Sequence, residues 1–578
     1  MPPKTPLHRP GRPLRLAGLA ALLATLMQAA AAATAAATTA VTTAVTTAAT
    51  TAATTAATTA ATTAATAAST AAVTATATAA VSGPSVAWLP AASDADIERA
   101  FAQARAENKP LLLYWGAAWC PPCNHLKATL FNRADFIDRS RSLVAVNIDG
   151  DLPGAQKLGT RFKVRGYPTM ILMAADGSEI TRLPGEADAP QVLNALQLGL
   201  SGGRPFKAVL ADARAGKPVS GPEWRMLAFY AWDIDEAQSV SANERPALLG
   251  QLSAAAPLSE AAAATRLLLK ALAESDDGKG LRADAALRDR VARLLADRQA
   301  SRAQMDVLVN SAAEIAKALA PEPGAARRQV VLGLDAALQR LQADASLSRA
   351  DRLNALGSRV LLARIDAPKA ERHPKLPAAL LQQLRAQVAR DDREIRNPYE
   401  RQAVITGGAS VLAEAGLWAE SDALLKANLP RSHSPYYLMS QLGGNARKLG
   451  RNSDALQWYA QAYARSEGPA TRLQWGASYI GVLVDLAPQD AARIEQVARG
   501  LLAEAARDPA AFHERSARSL QGLGSRLADW NRHGQHDAVL ERLHDGPDGV
   551  AALCARLDAA DVQRAACERV LKSVSARS

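Results

Sequence analysis

The sequence predicts an α/β domain followed by a long all-α domain, both behind an amino-terminal segment with no fold of its own. Three observations carry this. Between residues 86 and 200, continuous apolar runs alternate with amphipathic stripes, the pattern of buried strands joined by helices. Beyond residue 205 apolar residues recur at helical spacing. From Ala30 to Ala80 the chain repeats Thr-Thr-Ala-Ala or Thr-Thr-Ala-Val and carries no charge. With 578 residues and four cysteines the chain is no small disulfide scaffold, and 4% aromatics argues against an all-β protein.

The formal net charge is +11, yet Lys4, Arg9, Arg12 and Arg15 precede the first acid. Residues 86–204 balance 13 Lys and Arg against 12 Asp and Glu, and the remaining excess is spread thinly along the tail. No basic stripe is present, so nucleic acid is not an expected partner.

Residues 1–33 read as a signal peptide: basic residues, then the apolar stretch Leu16–Met27, then small alanines. The chain is therefore expected in the periplasm or secreted. An uncleaved anchor is the alternative, although the stretch is short and mostly Ala for a membrane span. Residues 34–85 are expected to be a disordered Ala/Thr-rich linker, because Thr disfavours helix and Ala offers little area to bury. As a flexible coil of about 50 residues it would separate its ends by roughly 40 Å.

The α/β domain is expected over 86–200. Ser93 caps a helix whose apolar face is Ile97, Ala100, Phe101 and Ala104. Pro110–Trp115 is a buried strand leading into Trp119-Cys120-Pro121-Pro122-Cys123 and a helix. Leu143–Ile148 is a second strand, Tyr167–Met173 a third, Asp176-Gly177 a hairpin turn into Glu179–Leu183, and Pro190–Leu200 a closing helix. A Cys-X-X-Cys pair serves either redox chemistry or half of a zinc site. Zinc needs two further ligands, and the other cysteines, Cys554 and Cys567, lie more than 400 residues on in a helical region. No metal is expected.

Taken together, Trp119–Cys123 after the first central strand, Asn147-Ile148-Asp149 on the next and Gly166-Tyr167-Pro168-Thr169 opening the third resemble the thioredoxin superfamily, in particular its periplasmic thiol:disulfide interchange proteins. The resemblance implies an oxidoreductase acting on protein thiols or disulfides, with the Cys120–Cys123 couple itself as the redox group and no other cofactor. Cys120, at a helix start where free amides favour a thiolate, is the expected nucleophile, and Cys123 the resolving thiol. The resemblance also implies a cis Pro168, with Trp119, Tyr167, Pro168 and Thr169 lining a substrate groove.

Two departures from the family bear on mechanism. Tyr114 and Ala145 stand where many thioredoxins carry a buried acid and a lysine, leaving water, Tyr114 or His125 to take the proton of Cys123. The Pro121-Pro122 pair also removes an amide that could otherwise approach the Cys120 thiolate, which favours a reductase or isomerase over an oxidase. The chain has no nicotinamide or flavin fingerprint, so electrons would come from a membrane electron-transfer partner.

The tail, 206–578, carries stripes such as Leu287, Val291, Leu294 and Leu295. Ala415–Leu424 and Leu449–Tyr459 place Gly416 and Gly450 34 residues apart, as are Pro435 and Pro469. These segments resemble tetratricopeptide repeats over about 390–545, and the expected architecture is a TPR-like α-solenoid. Such a stack offers a concave surface for a peptide or protein ligand, or serves as a spacer. Cys554 and Cys567 are expected to form a structural disulfide across a helical hairpin; a second redox couple is the alternative. A repeat scaffold or chaperone, using the α/β domain for binding alone, is the rival reading of the whole chain.

Overall fold

Period-two alternation along the strand Leu111–Gly116 decides how the first domain is layered. In the computed structural model, which describes residues 85–235, 239–275 and 280–575, β2 (Leu111–Gly116) sends Leu111, Leu113 and Trp115 to one face of the sheet and Leu112 and Tyr114 to the other. On the first face lie α1 (Asp94–Glu107) and α4 (Ala155–Arg161); on the second lie α2 (Pro121–Thr129), α3 (Ala134–Ser140) and α5 (Ala189–Leu200). The strand is buried from end to end because helices cover both faces. The signal peptide expected at 1–33, and all but the last residue of the linker expected at 34–85, lie outside the described residues.

The sheet runs β1-β3-β2-β4-β5, with β1 (Leu89–Pro90), β3 (Val144–Asp149), β4 (Thr169–Met173) and β5 (Glu179–Leu183). β1, β3 and β2 are parallel, whereas β4 and β5 run antiparallel. The register sets Gly116 beside Asp149 and Trp115 beside Thr169, so the exits of β2 and β3 and the entry of β4 meet at one edge. Ser93 closes a capping box with Asp96 at the start of α1. Three elements have little periodic signature of their own: β1 is two residues long, and α3 and α4 are seven each.

After α5 the chain is helical to Val574, without a strand among the described residues. Its buried side chains fall into successive clusters, each drawn from a limited stretch: Phe206 to Ala271, Leu268 to Leu362, Leu353 to Leu442, and Leu473 to Val574. This is the bookkeeping of a stack in which each helix pair packs on its neighbours. Gly416 (φ 78°) and Gly450 (φ 72°) each end one helix of a pair in the left-handed conformation, and Pro435 and Pro469 each open the next pair. Five helices of this region reach the first domain's site: α6 (Arg349–Ala363), α7 (Pro398–Glu414), α8 (Pro435–Lys448), α9 (Pro469–Leu486) and α10 (Glu514–Trp530).

Cys554 and Cys567 are joined, with Cα atoms 5.6 Å apart, and both are buried in the last cluster. Closing this short loop restricts the unfolded chain, so the Cys554→Ala/Cys567→Ala variant should lose about 3 kcal/mol of local stability. The loss should be read as faster hydrogen exchange in residues 550–574, with the α/β domain unaffected.

Candidate active site

The site is built where β2 runs out. Gly116, its last residue, tolerates no side chain, since a Cβ there would lie 2.4 Å from the Tyr114 hydroxyl. The chain turns through Ala117–Trp119, and Cys120 becomes the N-cap of α2 in extended conformation. Pro121 and Pro122 fill the first turn, where missing amides leave no helical bond unmade. Asn124 locks the turn: fully buried, it donates through Nδ2 to the carbonyl oxygens of Ala118 (2.7 Å) and Cys120 (2.9 Å).

Cys120 and Cys123 form a disulfide with Cα atoms 5.3 Å apart. The Cys123 amide donates to Cys120 Sγ at 3.2 Å, the interaction that would stabilise a thiolate there. Opposite, the Tyr167–Pro168 peptide is cis, and the Tyr167 carbonyl oxygen lies 3.6 Å from Cys120 Sγ. The Tyr167 ring occupies the space a side chain on Gly150 would need, and its hydroxyl accepts from Gln156 Nε2 at 2.9 Å. Cys120, Cys123, Tyr167 and Pro168 thus meet. Thr169 is buried and turned inward, donating to the Gly166 carbonyl at 2.8 Å, so it shapes the loop.

Trp119 points away from the sheet and into the helical region. Its ring stacks on Tyr437 of α8 (6.0 Å, 15°) and meets Trp475 of α9 edge-on (5.1 Å). Its indole N–H donates to Thr471 at 2.9 Å. The Arg515 guanidinium of α10 lies 5.2 Å from the Trp119 ring and 5.3 Å from that of Tyr167, and it is paired with Asp151 in the loop after β3. His433 Nε2 lies 3.0 Å from the Ala118 carbonyl oxygen. The result is a covered site: Cys120 is 2% exposed and Cys123 0%. No pattern within residues 86–200 signals this cover, because its partners lie some 300 residues on.

The proton-acceptor candidates separate clearly. The Tyr114 hydroxyl is buried, has no hydrogen-bond partner among the described residues, and is held far above its usual pKa by burial. It is a poor base. His125 faces Asp351 of α6, Nε2 to Oδ1 3.7 Å. Asp149, at the β3 exit beside Gly116, belongs to the Asn147-Ile148-Asp149 run that carries the family resemblance, which attached no role to its carboxyl; burial raises its pKa, while Lys127 on α2, itself lowered by burial, and Arg515 act against that rise. Among the described residues no cluster of His, Cys, Asp or Glu could hold a metal ion.

A cavity of about 320 Å³ opens beside Pro121 and Pro122, with Gly185, Glu186, Asp351 and Tyr437 in its wall. Gly185 belongs to the groove, since a Cβ on it would lie 3.1 Å from the Pro168 ring. Glu186 is open to this cavity but surrounded by protein. Burial, reinforced by the charge of Asp233, pushes its carboxyl up to about 7.

Residues 97–199 match the family model described as a thioredoxin-like domain. The "Thiol:disulfide interchange protein DsbD" of Pseudomonas fluorescens is 33% identical over 101 residues, covering 17% of this chain and 17% of that protein. The "Thiol:disulfide interchange protein DsbD 2" of Pseudomonas aeruginosa is 30% identical over 107 residues, 18% of each. The chain therefore spans less than a fifth of the length of these curated relatives. Among solved structures, the solution structure of a thioredoxin from Thermus thermophilus is 25% identical, covering 21% of this chain and 91% of that one, with a TM-score of 0.18.

The cover and Glu186 each generate a prediction. Removing the ring that stacks on Trp119, by Tyr437→Ala, forfeits roughly 0.5–1.5 kcal/mol of aromatic contact and should speed alkylation of reduced Cys120 by up to about tenfold. Rates equal to wild type would show that the cover does not limit access. Glu186 binds its proton more tightly folded than unfolded, so stability is highest below its unfolded value of 4.5 and declines as pH rises through about 7. Glu186→Gln should remove that decline, raising Tm at pH 8 by a few degrees at most, roughly, with little change at pH 4.

Proposed function

With residues 97–199 a domain of the thioredoxin superfamily, we propose that this chain is an exported thiol:disulfide oxidoreductase that exchanges disulfides with protein substrates through Cys120 and Cys123. The observation that carries the reading is the arrangement around one sulfur. Cys120 Sγ caps a helix, accepts an amide hydrogen bond, and faces a backbone carbonyl beside a cis proline. That carbonyl belongs to a strand-entry segment to which an extended substrate could add its own backbone.

In the reducing direction the Cys120 thiolate attacks one sulfur of a substrate disulfide. A mixed disulfide forms and one substrate thiolate leaves. The Cys123 thiolate then attacks Cys120 Sγ, expels the second substrate thiolate and closes the Cys120–Cys123 disulfide, so two electrons pass to the substrate and its thiolates take up two protons. Tyr167 and Pro168 hold the incoming segment, and Trp119 forms the outer edge of the loop. Asp149, at the β3 exit beside Gly116 where the cysteine loop departs and with its proton affinity raised by burial, is the carboxylate we assign to receive the Cys123 proton.

Pro121 and Pro122 leave the Cys123 amide as the donor that reaches Cys120 Sγ from the helix start. A modestly stabilised thiolate favours a reductase or isomerase over an oxidase. A reductase outside the cytosol needs electrons from a membrane partner. Among the described residues no helix is long and apolar enough to cross a membrane. The helical tail, TPR-like in its 34-residue spacing, would then recruit clients or that partner.

A second reading, a repeat scaffold that uses the thioredoxin-like domain only to bind, draws support from the cover over the cysteines. Insulin reduction with a dithiol electron source separates the two. Cys120→Ser should lose essentially all activity, and Cys123→Ser should accumulate mixed disulfides detectable on non-reducing gels. Wild-type rates in Cys120→Ser would select the scaffold.

A further inference from the structure

The residues flanking the disulfide open onto two cavities of opposite character. The one beside Pro121 and Pro122 has Glu186 and Asp351 in its wall, His125 facing Asp351, and no Lys or Arg. On the other side, Trp119 and Tyr167 border a cavity of about 490 Å³ whose wall carries Arg165, Arg515, Arg518 and Arg526 and no acid. Three of these arginines come from α10, where residues 515, 518, 522 and 526 fall on one helix face. α9 supplies the neutral opposite wall through Gln474 and Ser478.

These arginines do have acidic partners, but outside the cavity wall. Arg515 pairs with Asp151, Arg518 with Glu514 at 3.0 Å and Arg526 with Asp485 at 3.4 Å, while Arg165 lies 3.9 Å from Glu514. Arg518 and Arg526 keep 44% and 47% of their side chains exposed, which leaves donors for a second carboxylate. Gly522 sits between them, and a Cβ on it would meet nothing within 4 Å, so the wall stands back from the space it encloses.

We propose that this cavity receives carboxylate side chains of the substrate, so that clients bearing Asp or Glu within a few residues of the exchanging cysteine are preferred. The inference rests on the exchange function proposed above. A segment bonded to Cys120 and laid against the Tyr167 backbone must pass Trp119 and Tyr167, and both border the cavity. On the opposite side the same segment meets Glu186 and Asp351. The charge asymmetry therefore orients the substrate as well as selecting it, acidic residues toward α10 and neutral or basic ones toward α6.

The test uses the full chain and three fluorogenic peptide disulfides identical except for flanking Glu, Gln or Lys. At low ionic strength the Glu peptide should exchange about tenfold faster than the Lys peptide, and the gap should close near 0.5 M salt. Gly522→Glu, which places a carboxylate in the open space, should erase the preference, while Gly522→Gln, of the same size, should retain it; thermal melts establish that both fold, and Arg526→Gln should reduce the preference in the same direction. Equal rates for the three peptides in wild type, or an unchanged ratio in Gly522→Glu, overturn the proposal. If no peptide exchanges at all, the exchange function fails, and the cavity is judged separately by fluorescence anisotropy of a cysteine-free Glu peptide. Salt-sensitive binding weakened about tenfold by Gly522→Glu supports the cavity's role, and binding that is absent or indifferent to that change overturns it.

Discussion

The insertion of Trp119 between Tyr437, Trp475 and Arg515 is the contact on which the site's character depends. An aromatic ring next to the first cysteine of the pair would, in an isolated domain, lie against solvent. Here its stacking partner, its edge-on neighbour, its hydrogen-bond acceptor and its cation all come from the helical region. The same few atoms thereby join two architectures and shut out water from the disulfide. Around them the linkage is polar and specific: Arg515 reaches Asp151, and its amide donates to Gln156, which in turn holds the Tyr167 hydroxyl.

This coupling gives the covered disulfide a physical interpretation. Burial of Cys120 and Cys123 is achieved by side chains across an interface that includes exposed and half-exposed members such as His433 and Tyr437. Beneath them β2 is buried along its length, and the cis-proline loop is half-buried. Access to the sulfur is thus governed by helix-borne side chains, while the sulfur's own geometry is governed by the sheet edge. The same division places an arginine-lined cavity on one flank of the disulfide loop and a cavity bordered by Glu186 and Asp351 on the other, both walled in part by the helical region.

Much of the α/β domain was legible in the chain because its elements are buried on predictable faces. The apolar run at 111–116, the capping Ser93 and the turn at Asp176-Gly177 each have a local cause and lie where that cause puts them. The helices at 134–140 and 155–161 are too short for their periodicity to stand out. Within the site, Asn124 was not distinguishable from an ordinary polar residue, and Asp149 stood out only as part of the Asn147-Ile148-Asp149 run, with no role attached to its carboxyl. Their importance comes from burial and from what lies opposite them, and neither is a property of spacing.

Sequence alone therefore determined the pairing of Cys120 with Cys123 at a strand-to-helix turn, since two cysteines three residues apart across a helix start are in reach whatever surrounds them. It also determined that the described residues beyond 205 are helical, because 3.6-residue periodicity is a local property. Only the tertiary structure decided that α8, α9 and α10 close over the redox loop and that arginines gather on one side of it and acids on the other. Contacts between residues 119 and 475, or 151 and 515, depend on the summed geometry of every helix between them, and no short pattern along the chain encodes that sum.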